Sequence, residues 1–140
     1  MANIQDVTKS INITPVVAPI DADDGAIAAG AYIHAKLYDG IAIVCMQGVE
    51  AAATTITIEQ CTDGAGTGAK AFTTGKNITC VAATTQTAII EGPEFDSTTT
   101  PPFEWVKVSV NDPGAASLVA VLALGFRGRY AEDTMPSMLV

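Results

Sequence analysis

Apolar and β-branched residues recur along this chain in short runs, with turn residues between them every 10–15 positions or so. The runs are INITPVV (11–17), AYIHAKL (31–37), IAIVCMQ (41–47), TTITIEQC (54–61), AKAFT (69–73), NITCVA (77–82), QTAIIE (86–91), FEWVKVSV (103–110) and SLVAVLALGF (117–126). Between them lie DADDG (21–25), YDG (38–40), DGAGTG (63–68), GP (92–93), TPP (100–102) and NDPG (111–114). Short Val-, Ile- and Thr-rich runs bounded by such turn signals predict strands. In 54–61, Ile56 and Ile58 take one parity while Thr55, Thr57 and Glu59 take the other; in 103–110, Val106, Val108 and Val110 oppose Lys107 and Ser109. A period of two with one dry face predicts antiparallel sheets packed face to face, an all-β, jelly-roll-like β-sandwich.

One run departs from the alternation. Residues 117–126 are apolar on both parities, so this strand is expected either at the centre of its sheet or with its outer face pressed on a partner. The NDPG turn before it predicts a hairpin with 103–110. Residues 1–10 and 18–30 are expected to be weakly structured, and 92–102 (GPEFDSTTTPP) to form a long loop whose proline pair favours an extended path. Residues 127–140 (RGRYAEDTMPSMLV) continue no strand or helix pattern and are expected to form a terminal arm. Loops and arms on a rigid sandwich are where contacts to other molecules concentrate.

At 140 residues the length fits a single domain, with about 68–70% of the unfolded surface buried and one real core. Charged residues are 16% of the chain and apolar ones 49%, a balance that suits surface sheltered in an assembly. The net charge of −8 and the scattering of Lys9, Lys36, Lys70, Lys76 and Lys107 oppose nucleic-acid binding, which needs clustered cations. No run reaches the ~18–20 apolar residues of a membrane span, and MANIQDVTKS lacks the plan of a secretory signal. Cys45, Cys61 and Cys80 have neither CxxC spacing nor a histidine cluster. They are expected to be buried thiols in a reducing compartment such as a bacterial cytoplasm, without disulfide or zinc.

Catalytic chemistry is sparse. His34, the single histidine, has no GxSxG elbow or comparable motif to work with, and is expected at a surface or interface. Counting Asp21 as the first position of a calcium loop puts Tyr32 at the twelfth, where the closing carboxylate belongs, so DADDG is expected to be a solvated loop. In DGAGTGAK, Gly68 is followed by Ala69 before Lys70, which breaks the phosphate-loop pattern and leaves a flexible turn. Pairs such as Glu91 with Glu94, or Glu132 with Asp133, are what any acidic surface supplies. No enzyme, cofactor or metal site is expected. The aromatics Phe103, Trp105, Tyr130, Tyr32 and Tyr38 open a carbohydrate-binding alternative, an adhesive module such as a head- or tail-fibre component.

The block KLYDGIAIVCMQGVEAAATTITIEQCTDGAGTGAKAF (36–72), together with VKVSVNDPGAASLVAVLALGFRGRY (106–130), resembles small virion proteins of tailed bacteriophages, the capsid cement or decoration proteins, and within that group those of Bordetella podoviruses. The resemblance covers most of the chain and its motifs are structural. It implies a jelly-roll protein that docks on the outside of an HK97-like shell after expansion and bridges neighbouring major capsid subunits. It further implies a homo-oligomer, a dimer first and a trimer as the alternative. It does not assign the side chains that touch the shell. From the residues themselves, the anchor is expected in the C-terminal arm. There Arg127 and Arg129 can pair bidentately with carboxylates, Tyr130 suits an interface centre, and Met135, Met138 and Leu139 can fill an apolar groove.

Overall fold

The computed structural model describes residues 11–22 and 27–126. Among them run nine strands: β1 (Ile11–Asp21), β2 (Ile27–His34), β3 (Gly40–Glu50), β4 (Thr54–Cys61), β5 (Lys70–Ala71), β6 (Ile78–Cys80), β7 (Thr85–Glu91), β8 (Trp105–Val110) and β9 (Ser117–Phe126). All pairings are antiparallel and form two sheets. Sheet A has the order β1-β9-β3-β7; sheet B has β2-β8-β4-β5, with β6 also on β4. Strands β5 and β6 pair with opposite ends of β4, at Glu59–Gln60 and at Thr54–Ile56, and so share its second edge. The fold is the expected all-β sandwich of antiparallel sheets.

Strand alternation builds the core. Ile56 and Ile58 of β4 and Val106 and Val108 of β8 are fully buried, and they meet Ile41, Ile43, Val119 and Val121 of sheet A in one cluster. Each such aliphatic side chain contributes about 1.5–3 kcal/mol when removed from water. Gly125 of β9 is needed for close approach. A Cβ there would lie 2.5 Å from two ring carbons of the buried Tyr38, a separation that atoms cannot hold. Gly125→Ala is therefore expected to destabilise the fold by about 1–3 kcal/mol through overpacking. Thermal unfolding would read this as a clear drop in melting temperature, and an unchanged value would contradict the packing of Tyr38.

Four expectations need correction. Strands β8 and β9 are not a hairpin: β8 pairs with β2 and β4 in sheet B, β9 with β1 and β3 in sheet A, so NDPG carries the chain between sheets. Most of 18–30 is strand, because β1 runs on to Asp21 through two register irregularities and β2 begins at Ile27. The end of the expected strand 31–37 is a 3₁₀ turn over Ala35–Leu37. Cys45 of β3 and Cys80 of β6 form a disulfide across the two sheets, while Cys61 is a buried free thiol; facing positions on packed sheets bring together cysteines 35 residues apart.

Candidate interaction surface

Sheet A is apolar on its outside as well as its inside. On β3 and β9 the inward positions are Ile41, Ile43 and Cys45 with Val119, Val121 and Ala123, all buried. The alternate positions face out, and the register sets them in rows across the sheet: Ala42 beside Leu124, Val44 beside Leu122, Met46 beside Ala120. Strand β7 extends the same rows with Ile89, Thr87 and Thr85. Met46 is 39% exposed, Leu118 50% and Ile89 57%. Neither central strand contributes an outward charge along 40–46 and 118–126. Glu91, at the end of β7 opposite Gly40, bounds this face on one edge. Along β3 and β9 this outer face is apolar and uncharged on a chain of net charge −8. One of the two causes expected for the double parity of 117–126 is present: β9 is central in its sheet, between β1 and β3, and its alternate side chains lie on the outer face.

The outside of sheet B has the opposite character. Lys107 Nζ donates to Glu59 Oε2 at 3.0 Å across the β8–β4 pair, which holds the ammonium above its usual pKa. His34 of β2 stacks on Trp105 of β8, with ring centroids 4.4 Å apart and planes 8° from parallel. Glu104 accepts from Lys36 at 2.8 Å and lies 3.7 Å from His34 Nε2; the Lys36 hydrogen bond is the main cause that keeps its carboxyl below the usual range. The Trp105 indole is thereby packed within the surface of sheet B, and His34 sits against its ring.

The glycine run covers these rings. Asp63 Oδ1 accepts the amides of Ala65 and Thr67 at 2.9 and 3.0 Å, and Thr67 is the chief cause of its lowered pKa. The closed turn lies on the aromatic side chains: a Cβ on Gly64 would come within 3.1 Å of the Trp105 ring, and one on Gly66, where φ is +83°, within 2.8 Å of Tyr32. Glycine is required here by close approach and backbone sign, so the run is a fixed cover for sheet B.

At the other end, the segment after β7 turns through a 3₁₀ turn at Gly92–Glu94. Asp96 then binds Lys70, whose ammonium sits 4.3 Å above the Phe103 ring; that hydrogen bond chiefly drives the Asp96 pKa far down. Buried Gln60 takes the Asp96 amide at 2.8 Å. A cleft of about 130 Å³ opens here, lined by Tyr38, Phe95 and Phe103 together with Asp39 and Glu104. The Asp39 amide donates to the Phe126 carbonyl at 3.0 Å, so the chain leaves β9 at the edge of this cleft.

The sequence-predicted anchor residues Arg127, Arg129, Tyr130, Met135, Met138 and Leu139 lie outside the described residues, as do the N-terminal arm 1–10 and Asp23, Asp24 and Gly25 of the acidic loop. The outer face of sheet A was foreshadowed by β9 alone. The contributions of β3 and β7 need the pairing register, which no local pattern supplies. No helix among the described residues is long and apolar enough to cross a membrane. No protein-family model, curated protein or solved structure matches this chain.

Proposed function

We propose that this chain is a structural virion protein, a cement that binds the outer surface of an HK97-like bacteriophage capsid and ties neighbouring major capsid subunits together after expansion. The observation that carries the reading is the uncharged apolar outer face of sheet A. It is a surface built for protein contact, and it joins the resemblance to cement proteins in residues 36–72 and 106–130. The strand order supports a jelly roll: β1-β9-β3-β7 over β2-β8-β4 with β5 and β6 sharing the fourth place is two four-place sheets between which the chain crosses repeatedly, as in the double Greek key of that architecture.

In this reading the protein performs no catalysis and needs no cofactor. It is made in the host bacterial cytoplasm, acts on the outer capsid surface, and works as a homo-oligomer, a dimer first and a trimer as the alternative. Binding favours the expanded shell by linkage: a ligand that fits one state shifts the equilibrium toward it. Repetition around a closed shell multiplies modest contacts, and a 14-residue arm from 127 to 140 has a contour of roughly 46–50 Å to span a subunit boundary. Arg127, Arg129, Tyr130, Met135, Met138 and Leu139 are its proposed contacts. Stacking of His34 on Trp105 and the cover of Gly64 leave the indole poorly placed as a sugar platform, which weighs against the adhesive alternative. Full-length protein and a 1–126 truncation, each mixed with stripped expanded capsids and pelleted, test the arm: the full chain is expected to pellet and the truncation to remain in the supernatant. Equal pelleting would remove the arm from the account.

A further inference from the structure

The two edges of sheet A are built differently. On one, β1 carries Pro15 and two register irregularities; on the other, β7 pairs with β3 over seven consecutive residues without one. Sheet B has no comparable edge among the described residues, since β2 has a register shift between Ile27 and Ala31, and β5 and β6 are two and three residues long. Prolines, bulges and short strands keep sheet edges from pairing with other chains, and β7 has none of them. The phase of its ladder shows which backbone groups are left over. The Gln47 N–H donates to the Thr84 carbonyl at 2.9 Å. Residues bonded to the neighbouring strand alternate with residues pointed away from it, so Gln86, Ala88 and Ile90 bond β3, while Thr85, Thr87, Ile89 and Glu91 aim their N–H and C=O groups off the edge. Two of these groups are used within the chain: the Ile89 carbonyl accepts from Lys76 Nζ at 2.7 Å, and the Glu91 N–H donates to Glu94 Oε2 at 2.9 Å. The N–H groups of Thr85, Thr87 and Ile89 remain, on three exposed residues.

We infer that β7 is the contact between copies of this chain: two β7 strands pair antiparallel across a two-fold axis and join both four-stranded sheets A into one continuous sheet. The strand TQTAIIE is complementary to itself. A two-fold axis at Ala88 sets Thr87 opposite Ile89 of the partner subunit and Thr85 opposite Glu91 of the partner subunit, so edge-pointing residues meet edge-pointing residues. The N–H of Thr87 then donates to the carbonyl of the partner's Ile89, and the N–H of the partner's Ile89 to the carbonyl of Thr87. A carbonyl has two lone pairs, so Ile89 accepts this bond beside the one from Lys76. Charge favours the same pairing. Glu91 is the one charged residue of β7, and the two-fold keeps it about 20 Å from its twin, six residues along the strand, which suits a chain of net charge −8. The outward side chains of β7 lie in the rows of Ala42, Val44 and Met46, so the joined sheet also extends the apolar outer face. The inference names the contact of the homo-oligomer proposed above and rests on that part of the reading, not on the capsid.

The test is sedimentation velocity of the full-length protein over a concentration series, joined to amide hydrogen exchange of the same samples. The wild type is expected to form a dimer in which the Thr87 and Ile89 amides are protected, and to lose that protection on dilution to the monomer. Thr87→Pro deletes an N–H that makes no bond to β3, and edge strands accept proline, so the fold is expected to persist, as thermal unfolding would check. Across the two-fold axis the substitution removes two hydrogen bonds and is expected to raise the dimer Kd about 10–100-fold. If the variant does not fold, the exchange of the wild-type amides decides. A dimer with protected Thr87 and Ile89 amides supports the contact. A dimer whose Thr87 and Ile89 amides exchange as freely as exposed ones, and which Thr87→Pro leaves intact, overturns it while leaving the homo-oligomer standing; a wild type that stays monomeric at every concentration overturns both.

Discussion

Met46→Asp and Leu122→Asp, introduced singly on the outer face of sheet A, are each expected to cut association with the partner by about 100-fold or more, because a carboxylate buried unpaired at a contact costs roughly 3–5 kcal/mol. The fold should tolerate both. Met46 is 39% exposed, and Leu122 faces away from the core beside Val44; thermal unfolding checks that each variant remains folded. Thr57→Asp, on the already polar outside of sheet B where Thr57 hydrogen-bonds Asn111, serves as the matched control and should leave association intact. Sedimentation velocity of the free protein reads contact between copies, and pelleting with capsids reads contact with the shell. If both variants behave as wild type in both measurements, the apolar face is not a contact surface.

Breaking the Cys45–Cys80 bond carries the second large effect. It closes a loop between residues 35 apart in sequence and joins the two sheets through buried sulfurs. Loop-closure entropy for that length gives about 3–4 kcal/mol of stabilisation, a large share of the ~5–15 kcal/mol that a domain has in total. Denaturant unfolding of oxidised and reduced protein should therefore show a well-separated midpoint. Thiol counting in unfolded, unreduced protein checks the bond itself: one reactive thiol, from Cys61, is expected, and three would mean that no bond forms.

The strands were legible because β-branched residues alternate with polar ones and because Gly, Pro and Asp clusters punctuate them. What was not legible is what depends on distant partners. NDPG is a sound local turn signal, yet sheet membership is decided by the pairing of β8 with β2 and β4 and of β9 with β1 and β3, so the turn joins sheets. The stretch 18–30 looked unstructured because Gly and Ala carry little strand preference, whereas ladder hydrogen bonds to β9 and β8 extend it into strands. The cysteine pair was hidden by 35 intervening residues. The apolar outer face was half visible: the double parity of 117–126 marks β9, but the rows that extend it come from β3 and β7.

The central claim is that this protein binds a capsid lattice in one of its two states. Purified full-length protein, co-sedimented in parallel with stripped expanded capsids and with unexpanded procapsids, tests it most directly. The account predicts saturable binding to expanded shells and none to procapsids. Absence from both pellets, or equal binding to both, would contradict it.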